Sequence, residues 1–461
     1  DDIDDDNNDW QSITNASTVL NFGVGYATAH DPGIFSSTFG CPGPTCRIRY
    51  IFSGLFNNGN ANTVTIYRND AETGDNNWNL IGNPYPSAIE VNGPNGFLTQ
   101  NTAIIDGNVT GGAIDGAIFI WSQSTTPTNT NNGNENINFS QSDYAIINGI
   151  GSVSAGGDTN GDGTVNASDN PNGFIPSGQA FFISMSDTSP AYDGNPTIKS
   201  ADIIFNNAMR STGNNNLFFR NNPTTNQDNK LWLNLESDNG VFSEILVGYL
   251  ENASNMYDGM YYDAPRNGST GINSSIYTRI PDMNKQFAIQ GKNLNSLTLD
   301  EVIPLGFYTA INTPTIYTLS IAKLEGEFMT NNSIYVIDRL NNSIHELSDS
   351  DYLFTSETGE FNNRFEIVFT PDALSVKYHT LSASDLTITE LSDGDVKIKT
   401  NSNITIVNVE IIDVTGRLIY NLDGNSSTEV YNLSQLSNAA YIAKVTLSNG
   451  QVISKKAIKQ R

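Results

Sequence analysis

One short segment of the chain carries oxygen-bearing groups at the spacing of a calcium-binding loop. Within residues 158–169, such groups fall at positions 1, 3, 5, 7, 9 and 12 of twelve, on Asp158, Asn160, Asp162, Thr164, Asn166 and Asp169. Gly163 stands at position 6, where such a loop turns sharply. Hard oxygen ligands at this spacing suit Ca²⁺ far better than a softer transition metal. The sequence therefore predicts a calcium site, with Thr164 binding through its backbone carbonyl and Asn166 through water.

The loop resembles EF-hand-type loops, and dockerin-type calcium repeats in particular, which also end in Asp. Asn170-Pro171-Asn172-Gly173 follows directly, so no helix can leave the loop, and we expect an isolated loop between strands. Because Asp169 is shorter than the usual bidentate Glu, binding should be loose, roughly 10⁻⁴ to 10⁻³ M. The alternative is an acidic turn that holds no metal.

The two cysteines of the chain favour a disulfide. Cys41 and Cys46 flank a Pro-Gly-Pro turn, and this spacing allows them to close a small loop. No second cysteine pair or nearby His cluster completes a zinc site. We therefore expect a disulfide between them, which suits an oxidising, extracytoplasmic location.

No segment has the pattern of a known catalytic motif. His30, His345 and His379 are far apart in sequence and lie in no metal motif. A nucleophile elbow, a phosphate loop and a dinucleotide fingerprint are all missing from the sequence. Carboxylates are too numerous to choose a glycosidase pair without their separation in space. The sequence therefore predicts a protein that is not an enzyme, with a secreted glycan hydrolase as the less favoured alternative.

The composition predicts an all-β protein that does not bind nucleic acid. Of the 461 residues, 38% are apolar and only 16% are charged, so Asn, Ser, Thr and Gly supply much of the polar surface. That mixture is typical of short strands joined by turns. The net charge of −26 argues against nucleic acid and anionic membrane surfaces as partners. No apolar run approaches the roughly 18 residues of a membrane helix, and no signal peptide stands at residue 1, so we expect a mature form or a fragment.

Period-two alternation and turn residues divide the chain into three β units. Residues 1–13 are predicted to be an acidic linker or the end of an upstream repeat. Residues 14–196 and 197–378 are predicted to be two consecutive β-sandwich or jelly-roll-like units, the first with the calcium loop as an insertion. After a linker at 379–383, residues 384–461 are predicted to be a small Ig-like sandwich of about seven strands.

The C-terminal unit contains an ordered series of turn and strand motifs. The motif residues are Asp413, Gly416, Arg417, Tyr441, Asn449, Gly450, Lys455 and Lys456. Asp413 can cap a turn in which Gly416 takes a positive φ. Asn449-Gly450 is the strongest two-residue signal for a hairpin. The lysines lie in a basic last strand, which is unusual in so acidic a chain and favours a recognition element.

This series resembles the type A C-terminal sorting domain of cargo for the type IX secretion system, over residues 384–461. One position departs from that family, which usually has Gly before the Tyr strand where this chain has Asn438-Ala439-Ala440. The resemblance implies export through the outer membrane to the cell surface or the extracellular space. It implies as partners the outer-membrane translocon and the machinery that processes or attaches its cargo. In that family the sorting domain is often removed. Because this sequence still contains it through Arg461, we expect the chain to be an unprocessed form.

Residues from about 15 to 375 resemble, less specifically, the region that precedes the sorting domain in large bacterial surface proteins and adhesins. The motifs include Asn83-Pro84-Tyr85-Pro86 and the three scarce cations Arg210, Arg220 and Arg364. The resemblance implies a β-rich stalk or terminal module and no known activity. From the residues themselves, we expect Tyr85 to pack beneath its turn and the three arginines to anchor ion pairs.

Two functions from different classes remain open. The first is a secreted surface protein, such as an adhesin, whose body is a structural β module beside its sorting signal. The second is an extracellular carbohydrate-binding protein that stacks exposed rings on surface glycans. The rings in question are Trp78, Trp121 and the group Tyr257, Tyr261 and Tyr262. A flat row of exposed rings would favour the second, and burial of those rings would argue against it.

Overall fold

The structure is a computed structural model, and the chain divides into two compact units, Asp1–Ala373 and Leu374–Arg461. Strands of both units pair almost entirely in antiparallel sheets, which confirms the predicted all-β class. The structure describes residues 13–15, 17–28, 53–60, 62–71, 77–106, 112–122, 143–156, 170–186, 191–192, 195–215, 228–237, 240–266, 274–280, 283, 285–371, 386–391, 394–400, 405–413, 415, 417–434, 436–447 and 452–460.

The first half of the larger unit is made of three small sheets around one apolar core. Its elements are β1 Asn62–Asn69, β2 Trp78–Gly82, β3 Ala88–Glu90, α1 Phe97–Gln100, β4 Ile114–Trp121, β5 Tyr144–Asn148, β6 Ser152–Val153, β7 Phe174–Ile175, β8 Ala180–Met185, β9 Ala191–Tyr192, β10 Asn195–Phe205 and β11 Arg210–Ser211. The sheet orders are β2-β8-β4-β5-β6, β1-β10-β9 and β11-β3-β7. Tyr85 is buried in the shared core, as predicted.

The second half of the larger unit is a sandwich of two five-stranded sheets. Its elements are β12 Asn229–Ser237, β13 Phe242–Leu250, β14 Ser274–Thr278, β15 Ile289–Asn293, β16 Val302–Thr309, β17 Tyr317–Glu325, α2 Glu327–Asn331, β18 Tyr335–Asp338, β19 Ser343–Glu346, β20 Tyr352–Phe354 and β21 Gly359–Val368. The sheets run β15-β13-β12-β17-β20 and β14-β16-β21-β18-β19. One core cluster takes buried side chains from both sheets, so their inner faces pack together.

The smaller unit pairs a three-stranded sheet with a four-stranded sheet. Its strands are β22 Leu386–Glu390, β23 Val396–Thr400, β24 Ile406–Asp413, β25 Leu418–Asp423, β26 Thr428–Tyr431, β27 Ala440–Leu447 and β28 Val452–Ile458. The orders are β22-β23-β26 and β25-β24-β27-β28. Along β27, buried and partly exposed side chains alternate strictly, which is the pattern expected of a sheet with one face on a core.

The boundary predicted at residue 197 lies inside a strand of the first half, and the two halves of the larger unit share an apolar interface. The boundary predicted between residues 196 and 197 falls inside β10, which pairs along its length with β1 from Asn62↔Phe205 to Asn69↔Ile198. A separate buried cluster joins side chains of β4 to others of β12 and β15. At its centre Ile150 packs on the paired glycines Gly248 and Gly291, where an added Cβ would lie 2.6 Å from Ile150 in each case. The sheets therefore approach closely because these positions lack side chains.

A buried ion pair ties β18 to β21 inside the second sandwich. Arg364 Nη2 lies 3.0 Å from Asp338 Oδ2, and both side chains are almost fully buried. The guanidinium of Arg364 also sits over the ring of Phe354 at 4.6 Å and that of Phe365 at 4.8 Å. The predicted ion-pair role of Arg364 is therefore confirmed. Arg210 is exposed and instead donates to Ser87 and stacks over Tyr85, while Arg220 lies outside the described residues.

Candidate functional site

A buried carboxylate, that of Glu244, binds described residues on both sides of the predicted calcium loop. All six predicted ligands, Asp158, Asn160, Asp162, Thr164, Asn166 and Asp169, lie outside the described residues. On the near side of the loop, Ser154 N donates to Glu244 Oε1 at 2.9 Å; on the far side, Asn170 Nδ2 donates to the same oxygen at 2.7 Å. Glu244 lies on β13 and is only 5% exposed. One side chain from the second sandwich thus binds both chain segments that flank the loop.

Beside Asn170 lies a polar cleft between the two halves of the larger unit, with a volume of about 440 Å³. One wall comes from turns of the first half, at residues 90–94, 149–152 and 170–174. The other comes from β12 and β17, through Asp228, Lys230, Trp232, Lys323 and Glu325. The walls are therefore contributed by segments far apart in sequence, and the cleft exists only where the two halves pack.

The cations of the cleft are held by groups of the protein. Lys230 is buried, its Nζ donates to the carbonyl of Ile150 at 2.6 Å, and Asp228 lies 3.7 Å away. Burial lowers the pKa of Lys230, while the carboxylates of Asp228 and Glu325 act in the opposite direction. Lys323 Nζ lies 2.6 Å from Glu325 and 4.9 Å from the centre of the Trp232 ring. Neither ammonium is thus left as an isolated positive charge.

Two asparagines of the cleft each keep one amide atom without a protein partner. Asn170 is 3% exposed, and its Oδ1 is buried with no hydrogen bond. Asn172 Oδ1 accepts from Phe174 N at 3.1 Å, but its Nδ2 is likewise buried without a partner. Buried amide atoms are paired in most proteins, and exceptions call for an explanation. Both residues line the cleft, but in each of them the unpartnered atom is itself buried.

The aromatic residues considered as a sugar platform pack within the protein. Trp78 meets Phe119 edge-on, with ring centres 4.8 Å apart and planes at 86°. Tyr261 and Tyr262 cross at 73°. Trp121 is half-buried on β4, and Tyr257 packs against Phe287. These five rings therefore do not form a flat exposed row.

A buried carboxyl, Asp263, lies beside the partly exposed Asp258 in the segment between β13 and β14. Asp263 is fully buried, its Oδ1 accepts from Gly291 N at 3.0 Å, and its Oδ2 accepts from Asp258 N at 3.1 Å. Burial, with the neighbouring Asp258 side chain, raises the pKa of Asp263 to about 8. At neutral pH Asp263 is therefore mostly protonated. Within the described ranges, no three His, Cys, Asp or Glu side chains are grouped to hold a metal ion.

In the smaller unit, the predicted motif residue Asp413 organises the turn between β24 and β25. It accepts from the Thr415 hydroxyl at 2.5 Å, from Thr415 N at 2.9 Å and from Arg417 N at 3.0 Å. These bonds, the Thr415 hydroxyl first, lower the pKa of Asp413 to about 2. Arg417 Nε closes the turn at 3.1 Å from Asp413 Oδ2. Gly416, Asn449 and Gly450 lie outside the described residues, as do Cys41 and Cys46.

The basic last strand is bound largely within its own unit. Lys455 Nζ donates to the carbonyl of Leu386, and Lys459 Nζ donates to the carbonyl of Gly394 at 2.7 Å. Lys459 is 3% exposed. Tyr441 is buried, and burial together with the charge of Glu390 raises its pKa to about 12. Lys456 is exposed and is the predicted lysine whose ammonium faces solvent.

Sequence reasoning found neither the cleft nor the acid pair. One pattern could have indicated the cleft: Lys230, Trp232 and Asn234 alternate along β12, so their polar groups lie on one face of a buried strand. Nothing near Asp263 in sequence indicates that it is buried, because the covering strands lie elsewhere in the chain.

The comparisons with known proteins give family membership and no activity. Residues 3–369 match a family described as a domain of unknown function, DUF8693, and residues 374–459 match another such family, DUF8694. No curated protein matches the chain. The CupB2 chaperone of Pseudomonas aeruginosa is similar at 11% identity, over 51% of this chain and 89% of its own, with a TM-score of 0.14. That score is too low to support a structural argument. Among the described residues, no helix has the length and apolar character needed to cross a membrane.

Proposed function

The chain belongs to the family described as domain of unknown function DUF8693, and from that premise we propose that it is an exported bacterial surface protein. Its C-terminal unit directs it through the outer-membrane type IX translocon, and its larger unit is a non-enzymatic β module, such as part of an adhesin. The observation that carries the proposal is the ordered motif series from Asp413 to Lys456, all of it within the separate unit Leu374–Arg461.

The structure supports the proposal by separating structural from exposed motif residues. Asp413 and Tyr441 hold the fold of the unit, through the turn and the core respectively. Lys455 donates a hydrogen bond to the backbone carbonyl of Leu386. Lys456, by contrast, stands on the outer face of the four-stranded sheet, opposite Ile442 of β27. A receptor that reads the basic last strand would therefore contact Lys456.

The experiment compares export of the full chain with export of three variants in the bacterium that makes it. Removal of residues 374–461 should leave the protein in the periplasm. Lys456→Glu should reduce the amount that reaches the surface or the medium, since it reverses an exposed charge without removing a bond of the fold. Lys399→Glu, an equal charge change at an exposed position of β23, is the matched control and should be exported normally. Undiminished export after the deletion would refute the proposal.

Calcium is part of the proposal as a structural ion of the loop at 158–169. It is supported by the ligand spacing and by the Glu244 bonds on both sides of the loop. A bound ion would neutralise the carboxylates of the loop, and Glu244 already binds Ser154 and Asn170 on either side of it, so the role of the ion would be to rigidify the insertion.

A further inference from the structure

An asparagine that is followed by a glycine can modify itself without an enzyme. The backbone nitrogen of the glycine attacks the side-chain amide carbon of the asparagine, and ammonia leaves. Water then opens the resulting five-membered succinimide to aspartate or isoaspartate. Glycine favours the attack because it lacks a Cβ and has the widest backbone freedom. The chain contains several Asn-Gly pairs, and their surroundings in the fold determine which of them can react.

All but one of the Asn-Gly pairs within the described residues are held by the fold. In three of them the asparagine side chain is hydrogen-bonded to backbone groups, and these asparagines are Asn92, Asn148 and Asn172. In the pair Asn95-Gly96, the attacking N–H of Gly96 is bonded to the carbonyl of Gly93 at 2.9 Å. Either the amide or the attacking nitrogen of these pairs is therefore fixed.

The remaining pair, Asn58-Gly59, lies in an exposed loop without regular structure. The N–H of Gly59 makes one long bond, 3.3 Å to Asn207 Oδ1, which exceeds the roughly 2.7–3.2 Å usual for such bonds. Gly59 has a φ of +123°, a conformation that side-chain-bearing residues rarely adopt. The backbone at this pair is thus held weakly and has the freedom of a glycine.

A guanidinium lies against the oxygen that must take up negative charge. Arg210 Nη1 donates to Asn58 Oδ1 at 3.1 Å. When Gly59 N attacks, this Oδ1 becomes an oxyanion, and a bonded cation lowers the barrier to such an intermediate. The other acceptors of Arg210 in the described part of the chain are the neutral oxygens of Ser87 and Asn207. No carboxylate among these bonds competes for the charge of Arg210.

We propose that Asn58 is a site of spontaneous deamidation, that Arg210 promotes the reaction, and that the aspartate product pairs with Arg210. One water is consumed, one ammonia is released, and the side chain gains one negative charge at neutral pH. A charge-assisted hydrogen bond is stronger than the present bond to a neutral amide, so the modified loop is bound more firmly to the first half. The reaction does not depend on the route of export.

The test incubates the folded full chain at mildly alkaline pH and follows each Asn-Gly peptide by mass spectrometry. Asn58 should lose its amide faster than Asn95, whereas the two should react at similar rates in guanidinium chloride. Arg210→Gln should slow the loss at Asn58 about tenfold and leave the rate at Asn95 unchanged. This effect is smaller than the roughly 100- to 1,000-fold loss for an oxyanion donor in an enclosed active site, because the loop is exposed.

Two controls separate this effect from a general loosening of the chain. Arg417→Gln removes another exposed arginine, in the smaller unit, and should alter neither rate. A faster reaction at Asn58 in Arg210→Gln would show that the arginine protects the amide and would overturn the proposal. An unchanged rate there, or a rate no higher than that of Asn95 in the folded chain, would overturn it as well.

A further variant tests the product without altering Arg210. Asn58→Asp should raise the equilibrium constant for folding about 1.5- to 5-fold, as expected of an exposed ion pair. Asn95→Asp is the matched control, since its backbone N–H is bonded to Glu90 Oε2 and the new carboxylate has an acid beside it. It should give no gain. Equal effects of the two substitutions would contradict the pairing with Arg210.

Discussion

Replacing Asp263 by Asn should stabilise the protein at pH 7, although Asp263 is fully buried and hydrogen-bonded. Its pKa is raised from 3.8 to about 8 in the folded state, chiefly by burial. Below pH 3.8 the carboxyl is protonated in both states. Between pH 3.8 and about 8 only the unfolded chain loses the proton, so the free energy of unfolding falls as pH rises through this window. At about 1.4 kcal/mol per pH unit, the loss reaches about 4 kcal/mol at pH 7.

Asn reproduces the protonated carboxyl without titrating. Its oxygen can accept from Gly291 N, as Asp263 does now, but its amide nitrogen cannot accept from Asp258 N, as Oδ2 does now. The loss of that bond should cost about 1–3 kcal/mol. We therefore expect Asp263→Asn to be less stable than the unaltered protein near pH 4 by this amount, and more stable at pH 7 by about 1–3 kcal/mol. The charged groups nearby are Asp258, whose side chain hydrogen-bonds with that of Asp263, and Lys285, whose Nζ lies over the Tyr257 ring.

The matched control is the same substitution at Asp338, which is equally buried but paired with Arg364. Asp338→Asn leaves the guanidinium without its counter-charge and should destabilise the protein by about 3–5 kcal/mol. Urea unfolding followed by tryptophan fluorescence measures both, since all four tryptophans precede residue 374 and report on the larger unit. A loss of stability in Asp263→Asn at pH 7, or pH profiles parallel to those of the unaltered protein, would refute the raised pKa of Asp263.

Three further changes test other parts of the structure. Gly116→Ala would place its Cβ 2.5 Å from the backbone nitrogen of Tyr261; the resulting overpacking should cost about 1–3 kcal/mol in urea unfolding. Asp413→Asn should speed proteolysis of the C-terminal unit at pH 7 but not near pH 2. The pKa of Asp413 is lowered to about 2, so its carboxylate stabilises the folded unit fully above pH 3.8, and this stabilisation is lost as the pH falls towards 2. Calcium should raise the melting temperature of the unaltered chain but not that of Asp158→Ala, whereas Asp351→Ala, at an exposed site outside the loop, should respond normally.

The strands were largely predictable because their signal is local. The C-terminal segment shows this most clearly: about seven strands were expected over residues 384–461, and the described residues there form seven, β22 to β28. Alternation of apolar and polar residues depends only on neighbours in the chain, so it can be read from the sequence.

The pairing of strands that are far apart in the chain was harder to predict from the sequence. The sequence placed a boundary at residue 197, whereas β10 continues through it to pair with β1. A turn-rich stretch suggests a domain boundary equally well whether or not the next strand returns to an earlier sheet. Register and partner choice depend on which faces can be buried together, and that is decided by the whole chain.

By itself, the sequence determined the strand-rich class, the spacing of the proposed calcium ligands and the motif series from Asp413 to Lys456. Each depends on residues that are near neighbours in the chain. Only the tertiary structure decided that Lys459 is buried, that burial raises the pKa of Asp263 and that Asn170 and Asn172 line a cleft opposite Lys230. Burial, dielectric environment and the meeting of distant segments are properties of packing, and a local pattern of residue types does not contain them.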